Sequence, residues 1–380
     1  MNLDELRIQL DEIDQQLVDL FAKRMEICAE VGRFKKANNR PTLDSSRERA
    51  KLVAVSQMVP EELQTYVRSL YNHIFELSRT WQDSVINDPS PICAQIETAL
   101  ENTPKIFPGM ATVACQGVEG AYSQQAAERL FSTPNILFFS NFESVFSAIK
   151  NGLCDYGVLP LENSTAGSVN QIYDLMMRYN FSIVRSVRIK IDHNLLVKPG
   201  TKLEDIREVY SHEQAIAQCS EFFKKHPEIK ATACPNTAVA SQTVAESDRK
   251  DIAALSSSSC ASLYGLKTLI SSVQDQGNNS TRFICISKDM QIFPGADRTS
   301  VMLTTPHKPG SLFRILSKIN ALGINLTKLE SRPLPERNFE FMFYFDLETP
   351  VYSPEFVKLI SDLDHECETF EYLGSYSEVV

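Results

Sequence analysis

The chain has 380 residues, more than one hydrophobic core usually supports, so two or three domains are expected. Its net charge of −10 at pH 7 argues against general binding to nucleic acid or to an anionic membrane, and leaves room only for a local basic pocket that binds a small anion. The composition, 43% hydrophobic and 23% charged, is ordinary for a soluble globular protein, and no run reaches the roughly 18 apolar residues of a membrane span.

The first 85 residues predict three helices, at about 2–37, 43–57 and 60–84, because they contain one glycine and only two prolines. Apolar residues of the first helix repeat at alternating short spacings, which is the pattern of a heptad seam. The seam consists of Leu3, Leu6, Leu10, Ile13, Leu17 and Leu20. A long helix with such a seam favours pairing with a second copy of the chain.

Two cations lie on the same face as this apolar stripe. Arg24 falls within the arc of the stripe and Lys35 lies close beside it, about three turns or 16 Å further along the helix. One interpretation is that each long side chain reaches past an apolar surface to water. Because Arg47 and Glu48 follow in the next helix, the pattern instead favours a pocket, in which a buried cation meets an anionic partner or ligand.

These charged positions carry a resemblance. Residues 3–82 resemble the all-helical chorismate mutase domain, whose pattern is two spaced arginines, a lysine, a D-x-x-R-E string and a Ser-x-x-x-Gln string in the last helix. The matching residues are Arg7, Arg24, Lys35, Asp44, Arg47, Glu48, Ser78 and Gln82. The resemblance implies the rearrangement of chorismate to prephenate, a pericyclic reaction that needs no nucleophile and no cofactor.

In such a reaction the protein holds the compact conformer and stabilises the charge that develops on the breaking ether oxygen. By the resemblance, Lys35 and Gln82 hydrogen-bond that oxygen, and Glu48 meets the ring hydroxyl. These three are the expected catalytic residues of the helical domain.

The other matched positions are expected to bind the substrate. Arg24 and Arg47 bind its carboxylates, and Asp44 and Ser78 complete the pocket. Arg7 lies about 100° round the helix from Arg24, so we expect it to enter the pocket of a second subunit rather than that of its own chain.

Residues 106–287 alternate short strands with helical stretches, the pattern of an α/β domain, and residues 89–105 before them predict a linker with one short helix. The predicted strands are TVACQG, ILFFS, YGVLPLE, HNLLVK, IAALSS and TRFICIS. Polar strand-to-helix junctions occur in GVEGAYSQQAA, LPLENSTAGSVNQ and YSHEQAIAQC. One such junction alone is typical of a capped helix, but three predict a cleft where strand ends converge.

With the triplet that starts at Thr281, these strings resemble prephenate dehydratase over about residues 110–287. The resemblance implies two α/β lobes, similar to periplasmic binding proteins, and loss of CO2 and the ring hydroxyl from prephenate to give phenylpyruvate. Thr281 is the implied acid, and because a threonine hydroxyl is a weak acid, Arg282 or a backbone donor is expected to assist it. The residues implied to bind prephenate are Asn163, Ser164, Thr165, Ser211, Gln218 and Arg282.

Residues 298–380 predict a ferredoxin-like module with the order βαββαβ. The strings HKPGSLFRIL and GINLTKLESRP resemble the ACT domain, a small amino-acid sensor, of prephenate dehydratases that bind phenylalanine. By that resemblance the regulatory residues are Gly310, Ser311, Leu312, Asn325, Leu326, Glu330, Ser331 and Arg332. The alternative is a module that serves only for dimerisation.

Cysteine and histidine usage predicts no metal site. The nine cysteines are scattered and form no CxxC pair, and the six histidines have no partner His, Cys or Asp at the spacing of metal ligands. Reduced thiols and an acidic, amphipathic N-terminus that is unlike a secretory signal predict a cytoplasmic protein. No cofactor is expected, as the family resemblance implies.

The sequence as a whole predicts a multidomain protein: a chorismate mutase domain at 1–88, a linker at 89–105, a prephenate dehydratase domain at 106–287 and an ACT regulatory domain at 298–380. Nearly the whole chain resembles the bifunctional chorismate mutase/prephenate dehydratases of phenylalanine biosynthesis. We therefore expect a homodimer, or a higher oligomer, that is inhibited by L-phenylalanine. The alternatives are a non-catalytic amino-acid-responsive regulator and an enzyme in which one of the two sites is dead.

Overall fold

The computed structural model describes residues 2–86, 89–308, 310–334 and 340–379. The chain divides into two units, one formed by residues 1–97 and 301–371 and the other by residues 98–300 and 372–380. Residues 87 and 88, where the predicted mutase domain ends, lie outside the described residues.

The predicted helices of the N-terminal region are confirmed. They are α1 Leu3–Ala37, α2 Ser45–Ser56 and α3 Glu61–Ile86. Asn2 and Glu5 form a capping box at the start of α1, and the Asp44 side chain accepts a hydrogen bond from the backbone of Arg47 at the start of α2. Helices α1 and α3 approach closely at Gly32, where a Cβ atom would lie 3.2 Å from the Gln82 side chain.

The heptad seam of α1 is uncovered in the single chain. Its six side chains are between 42% and 64% exposed. The buried positions of α1 are Ala29 and Gly32, in its second half, where it packs on α3. The first half of the helix therefore carries an exposed apolar stripe, and the second half packs within the helical domain.

The predicted short helix after this region is α4 Pro91–Asn102, in which Cys93, Ile96 and Ala99 are buried. The second unit then contains seven further helices. They are α5 Tyr122–Leu130, α6 Phe142–Lys150, α7 Asn170–Tyr179, α8 Glu213–Ala217, α9 Ser220–Lys225, α10 Thr237–Glu246 and α11 Ser258–Leu263.

Eleven strands accompany these helices and form the body of two sheets. They are β1 Thr112–Gln116, β2 Asn135–Phe139, β3 Tyr156–Asn163, β4 Gly167–Ser168, β5 Ser182–Lys190, β6 Asn194–Val197, β7 Glu208–His212, β8 Lys230–Cys234, β9 Ile252–Ser256, β10 Lys267–Ile270 and β11 Ser280–Ser287. All six predicted strands are present. The strands β4, β5, β8 and β10 were not among the predictions, and β7 was indicated only by its end, at the junction YSHEQAIAQC.

The two sheets define two lobes, and the chain passes between them twice, after β5 and before β11. The first sheet has the order β16-β5-β11-β3-β1-β2, with β4 beside β3 and with β16 Glu378–Val379 at its edge. The second sheet has the order β10-β6-β9-β7-β8. Strand β11 lies between β5 and β3 and is antiparallel to both, so the residue at its start is held from two sides.

The C-terminal module has the predicted βαββαβ order. Its elements are β12 Arg298–Thr304, α12 Ser311–Ala321, β13 Asn325–Pro333, β14 Phe341–Glu348, α13 Pro354–Glu366 and β15 Thr369–Tyr376. The four strands form one sheet in the order β13-β14-β12-β15.

A buried ion cluster lies between α3, α12 and α13. The Nζ atom of Lys318 lies 2.8 Å from Glu366, 3.7 Å from Asp83 and 3.8 Å from Asp362. Burial alone would lower the pKa of Lys318, but the three carboxylates together raise it. Asp83 also accepts a hydrogen bond from the Thr42 hydroxyl at 2.9 Å, so the cluster reaches the loop before α2.

Candidate active sites

A cavity of about 560 Å³ lies among α1, α2 and α3. Its lining includes seven of the eight residues predicted for the helical domain, which are Arg24, Lys35, Asp44, Arg47, Glu48, Ser78 and Gln82. Five Lys and Arg side chains and two carboxylates line it, since Lys51 and Arg79 join the predicted cations. This excess of positive charge suits a small ligand with two carboxylates.

Four of the charged side chains of the cavity are held by a neighbour. Arg24 donates to the hydroxyl of Ser78, and the Lys35 ammonium donates to the backbone carbonyl of Thr42. Glu48 forms an ion pair with Arg79. Sequence reasoning missed Arg79, although it directly follows Ser78 on the helix that supplies the last part of the motif.

Gln82 is buried, with 6% of its surface exposed. Of the predicted residues that line the cavity, only Ser78 is less exposed. Its Oε1 atom has no hydrogen-bond partner among the described residues. A buried amide with an unused polar atom is costly unless a ligand or water engages it. Gly32 makes the room for this side chain, because a larger residue there would press on Gln82.

Arg7 lies outside the cavity of its own chain. Its guanidinium is exposed and pairs with Asp4 on the same helix at 3.3 Å. Seventeen residues of helix separate Arg7 from Arg24, which is about 25 Å along the axis. No arginine side chain spans that distance, so Arg7 can serve this kind of cavity only in another subunit.

A second cavity, of about 530 Å³, lies between the two lobes of the second unit. The predicted residues Asn163, Gln218 and Thr281 line it. None of its described lining residues is Lys, Arg, Asp or Glu. Its walls include the starts of α5, α7 and α10, whose backbone N–H groups and helix dipoles favour an anion.

The strand register explains why Thr281 meets Asn163. In the antiparallel pair of β11 and β3, Thr281 lies opposite Asn163 and Arg282 lies opposite Glu162. The Nδ2 atom of Asn163 donates to the Thr281 hydroxyl at 2.9 Å. Because successive side chains of a strand point to opposite faces, Arg282 is directed away from the cleft, where it lies 3.4 Å from Glu162.

This geometry corrects the expectation that Arg282 assists Thr281. The group beside the Thr281 hydroxyl is the side-chain amide of Asn163. Arg282 is buried and is not among the residues that line the cleft.

The other predicted substrate-binding residues divide into two groups. Thr165 contacts the cleft network, since its hydroxyl accepts from Gln218 at 2.7 Å and donates to Asn163 at 2.7 Å. Ser164 instead donates to the carbonyl of Asn278 at 3.2 Å. Ser211 is fully buried and donates to the carbonyl of Leu255 at 2.7 Å, so here it links β7 to β9 and does not line the cleft.

Three residues at the cleft were missed by sequence reasoning. His193 is buried, and its Nε2 atom lies 3.0 Å from Oε1 of Gln218. Asn279 donates from Nδ2 to the same oxygen at 2.9 Å. Tyr122 donates its hydroxyl to the carbonyl of Asp192 at 2.8 Å. The available signal was weak: each is a polar residue directly before a strand or at the start of a helix.

The C-terminal module has a cavity of about 220 Å³ beside the start of α12. Of the predicted regulatory residues, Ser311 and Leu312 line it, together with Phe341 and Phe343 of β14. Gly310 has φ +86 as the residue before α12, a conformation that favours glycine.

The remaining regulatory predictions fall on β13. Asn325 donates to Glu348 at 2.9 Å, and Leu326 lies opposite Leu347. Glu330, Ser331 and Arg332 follow along the same strand, opposite residues 344, 343 and 342. These five residues do not line the cavity beside α12.

Among the described residues no helix is long and apolar enough to cross a membrane. Within the same residues, no group of three or more His, Cys, Asp or Glu side chains is placed to hold a metal ion.

Two family models match the two regions just described. The model for chorismate mutase type II matches residues 6–83, and the model for prephenate dehydratase matches residues 113–291. The helical cavity and the interlobe cleft therefore belong to two different enzyme domains, an isomerase and a carbon–oxygen lyase, in one chain.

Relatives that cover nearly the whole chain join these two domains. A bifunctional chorismate mutase/prephenate dehydratase of Escherichia coli K12 is 31% identical over 377 residues, which is 98% of this chain and 95% of the relative. The chain belongs to the bifunctional chorismate mutase/prephenate dehydratase family.

Other relatives cover a smaller part of the chain. An arogenate dehydratase/prephenate dehydratase of Arabidopsis thaliana is 34% identical over 314 residues, covering 79% of this chain and 80% of the relative. The crystal structure of an Arthrobacter aurescens prephenate dehydratase in complex with L-Phe has a TM-score of 0.64 and 26% identity, over 70% of this chain and 89% of that one.

Proposed function

We propose that the helical cavity converts chorismate to prephenate, that the interlobe cleft converts prephenate to phenylpyruvate, and that L-phenylalanine bound to the C-terminal module inhibits the enzyme. The observation that carries the proposal is the convergence of the predicted residues: seven of eight positions that are far apart in sequence line one cavity of the helical domain.

In the helical cavity, Arg24 and Arg47 bind the two carboxylates of chorismate and hold its compact conformer. Lys35 then supplies positive charge to the ether oxygen as its bond breaks, and Gln82 donates a hydrogen bond to the same oxygen. Because the Thr42 carbonyl uses one N–H of Lys35, the ammonium is held in place while its other N–H groups stay available.

In the interlobe cleft, Thr281 stabilises the leaving hydroxyl of prephenate. The bond to the ring carboxylate breaks, its electrons enter the ring, and the C–O bond releases hydroxide as CO2 departs. The charges balance without a net proton, so Thr281 has only to donate a hydrogen bond and keeps its own proton. Asn163 donates to the Thr281 oxygen, which leaves the hydroxyl hydrogen free to face the substrate.

Two observations support a dimer in which subunits exchange Arg7. The seam at the start of α1 is exposed in the single chain, and about 25 Å separates Arg7 from Arg24 along the helix. A second copy packed on the seam covers the apolar stripe and brings its Arg7 to the cavity.

Mixing two inactive variants tests this exchange. Arg7→Ala and Lys35→Ala chains, refolded together in equal amounts, form mixed dimers with one intact mutase site out of two. About a quarter of the wild-type mutase activity should return, since about half of the dimers are mixed. If Arg7 acts within its own chain, the mixture stays as inactive as its components.

Phenylalanine control is supported by the cavity beside α12, where Ser311 and two phenylalanine side chains meet. It is also supported by the relative from Arthrobacter aurescens, which was solved with L-Phe. Feedback requires that the amino acid binds one conformational state better than another.

One assay tests the whole proposal. Purified protein is incubated with chorismate, and chorismate loss and phenylpyruvate formation are followed together, with and without added L-phenylalanine. Both signals, with the second suppressed by L-phenylalanine, are expected. Accumulation of prephenate would contradict the role of the cleft, and folded protein that binds phenylalanine without any turnover would favour the non-catalytic regulator.

A further inference from the structure

A continuous row of hydrogen bonds runs from His193 to Thr281 along the cleft. His193 Nε2 lies 3.0 Å from Oε1 of Gln218, and Nε2 of Gln218 lies 2.7 Å from the Thr165 hydroxyl. That hydroxyl lies 2.7 Å from Oδ1 of Asn163, whose Nδ2 lies 2.9 Å from the Thr281 hydroxyl. The first member is 2% exposed and the last is 7% exposed.

Two backbone groups fix the direction of this row. Oδ1 of Asn163 accepts the backbone N–H of Thr165 at 3.0 Å and that of Ala166 at 2.9 Å. Because a backbone N–H can only donate, this atom must be the amide oxygen. The other end of the Asn163 amide must then be the NH2 group, which donates to Thr281 and, at 2.7 Å, to Oδ1 of Asn279.

The hydrogen bonds of Asn279 fix the tautomer of the imidazole in the same way. Asn279 accepts with its oxygen, so its NH2 group donates to Oε1 of Gln218 at 2.9 Å. That atom is therefore the oxygen of Gln218, and it cannot donate to the imidazole. Nε2 of His193 must carry the hydrogen, and Nδ1 must carry the lone pair.

The surroundings of His193 agree with this tautomer. Its Nδ1 atom is buried and has no hydrogen-bond partner among the described residues, as expected for a nitrogen without a hydrogen to donate. Burial lowers the pKa of His193, which keeps the ring neutral near pH 7.

We propose that His193 is a positioning residue of the dehydratase reaction. Its Nε2–H holds Gln218, which donates to Thr165, and the Thr165 hydroxyl adds a third hydrogen bond to the Asn163 oxygen that two backbone N–H groups already orient. The Thr281 hydroxyl accepts from Asn163 and keeps its hydrogen for the substrate. Each donor in the row points toward Thr281, and each bond therefore polarises the next. This inference rests on the proposed role of Thr281 at the leaving hydroxyl.

His193 does not supply a proton in this scheme. Two side-chain amides and one hydroxyl stand between it and Thr281, and the neutral amides hold the orientation without passing a proton. Protonation of Nδ1 would leave the Nε2–H donor in place, so the direction of the row does not depend on the charge of His193.

The tautomer can be observed directly. A long-range 1H–15N correlation spectrum of protein labelled with 15N-histidine separates the two neutral tautomers and the imidazolium, and the signal missing from His193→Gln identifies the residue. The Nε2–H form at neutral pH is expected. The Nδ1–H form would overturn the inference without any measurement of activity.

Two substitutions test the role in catalysis. His193→Phe keeps a ring but removes the donor, and the dehydratase kcat should fall about 10- to 100-fold with little change in KM, because orientation rather than binding is lost. His193→Gln places an amide N–H as many bonds from Cα as Nε2, and it should recover most of the loss with an unchanged pH profile. A normal kcat in His193→Phe would contradict the proposal. So would the loss, in His193→Gln, of the acidic limb of the plot of kcat against pH.

Thr165→Val completes the test, because it interrupts the row between His193 and Thr281. In the Thr165→Val background, His193→Phe should have little further effect on kcat. Fully additive effects would mean that His193 acts by another route. The chorismate mutase activity of each sample serves as the control for active protein concentration, and circular dichroism checks the fold.

The result also separates this inference from the function on which it rests. If Thr281→Val has normal dehydratase activity, the proposed role of Thr281 fails. If Thr281→Val is inactive while His193→Phe is normal, only the positioning role of His193 fails.

Discussion

The two cavities offer a dicarboxylate ligand different kinds of polar groups. The helical cavity presents five Lys and Arg side chains, whereas the interlobe cleft has none among its described lining residues. The cleft instead presents helix starts, side-chain amides and hydroxyls. A rearrangement with charge developing on one oxygen is served by nearby cations, and the departure of hydroxide is served by an oriented hydrogen-bond donor.

The difference also affects what holds each site together. In the helical cavity, Arg24 is held by Ser78 and Glu48 by Arg79. Thr42 links this cavity to the ion cluster around Lys318, because its hydroxyl donates to Asp83. The cleft is fixed by strand register and by backbone N–H groups that orient Asn163. Changes of charge should therefore affect the first site, and changes of hydrogen-bond direction should affect the second.

The largest expected effect comes from removing an arginine that binds a substrate carboxylate in the proposed site. Arg24→Leu should lower the kcat/KM of the mutase about 10²- to 10³-fold, because the cation is partly buried and, in the proposed site, binds a substrate carboxylate directly. The dehydratase rate with added prephenate should not change. Arg33→Leu, on the same helix but exposed and paired only with Glu30 in the described structure, is the matched control. Equal losses in the two variants would contradict the assignment of this cavity.

Removal of the buried lysine tests whether the charge cluster supports the helical site. Lys318→Met leaves three carboxylates close together, and the free energy of unfolding should fall by about 3–5 kcal/mol, because a buried charge group loses its partner. Urea unfolding followed by circular dichroism measures the loss, and mutase activity should be lost at a lower urea concentration than dehydratase activity. Arg33→Leu, which breaks the exposed pair with Glu30, is again the control, and its free energy of unfolding should fall by only about 0–1 kcal/mol.

The pH dependence of stability should report on Asp362. Burial raises its pKa to about 6, opposed in part by Lys318, whereas an unfolded aspartate has a pKa of about 3.9. Because the folded chain binds this proton more tightly, the stabilising contribution is complete below about pH 4 and is lost as the pH rises through about 6.

Asp362→Asn should therefore abolish a decrease of about 1–3 kcal/mol in the free energy of unfolding between about pH 4 and pH 7. Unfolding curves at several pH values measure the slope, with the exposed Glu355→Gln as the control on the same helix. The same slope in wild type and Asp362→Asn would contradict the position of this carboxyl group.

The smallest effect is that of salt. Raising the ionic strength from about 0.05 M to about 0.5 M should increase the mutase KM several-fold, because full charges near the surface of the helical cavity are screened. The dehydratase KM should change less, about twofold or under, since its cleft offers partial charges. Initial rates with chorismate and with prephenate in the same buffers give the comparison, and a steeper dependence for prephenate would reverse it.

Part of the helical site could be predicted from the sequence because cations interrupt an apolar pattern there. Arg24 and Lys35 are visible in the sequence for that reason, and the structure places both on one cavity. The three N-terminal helices and the order of the C-terminal module were also predictable, since periodicity, glycine and proline mark their ends.

The cleft was harder to predict because its geometry comes from pairing between distant strands. Alternation along β11 directs Thr281 and Arg282 to opposite faces, so two neighbours in sequence do not share a site. His193 meets Gln218 only because the chain passes between lobes at this point, and nothing local in the sequence shows it. Strand β5 was missed as well, because its three cations obscure a strand that pairs along its length with β11.

The most direct test of two separately built sites is a crossed assay of Lys35→Met and Thr281→Val. Each purified variant is supplied with chorismate and, separately, with prephenate, and Thr281→Ser serves as the control that keeps a hydroxyl. Lys35→Met should lose mutase activity by about 10²-fold or more and keep the dehydratase, and Thr281→Val should show the reverse. If either variant, still folded, loses both activities, the two cavities do not act as independent sites and the account is wrong.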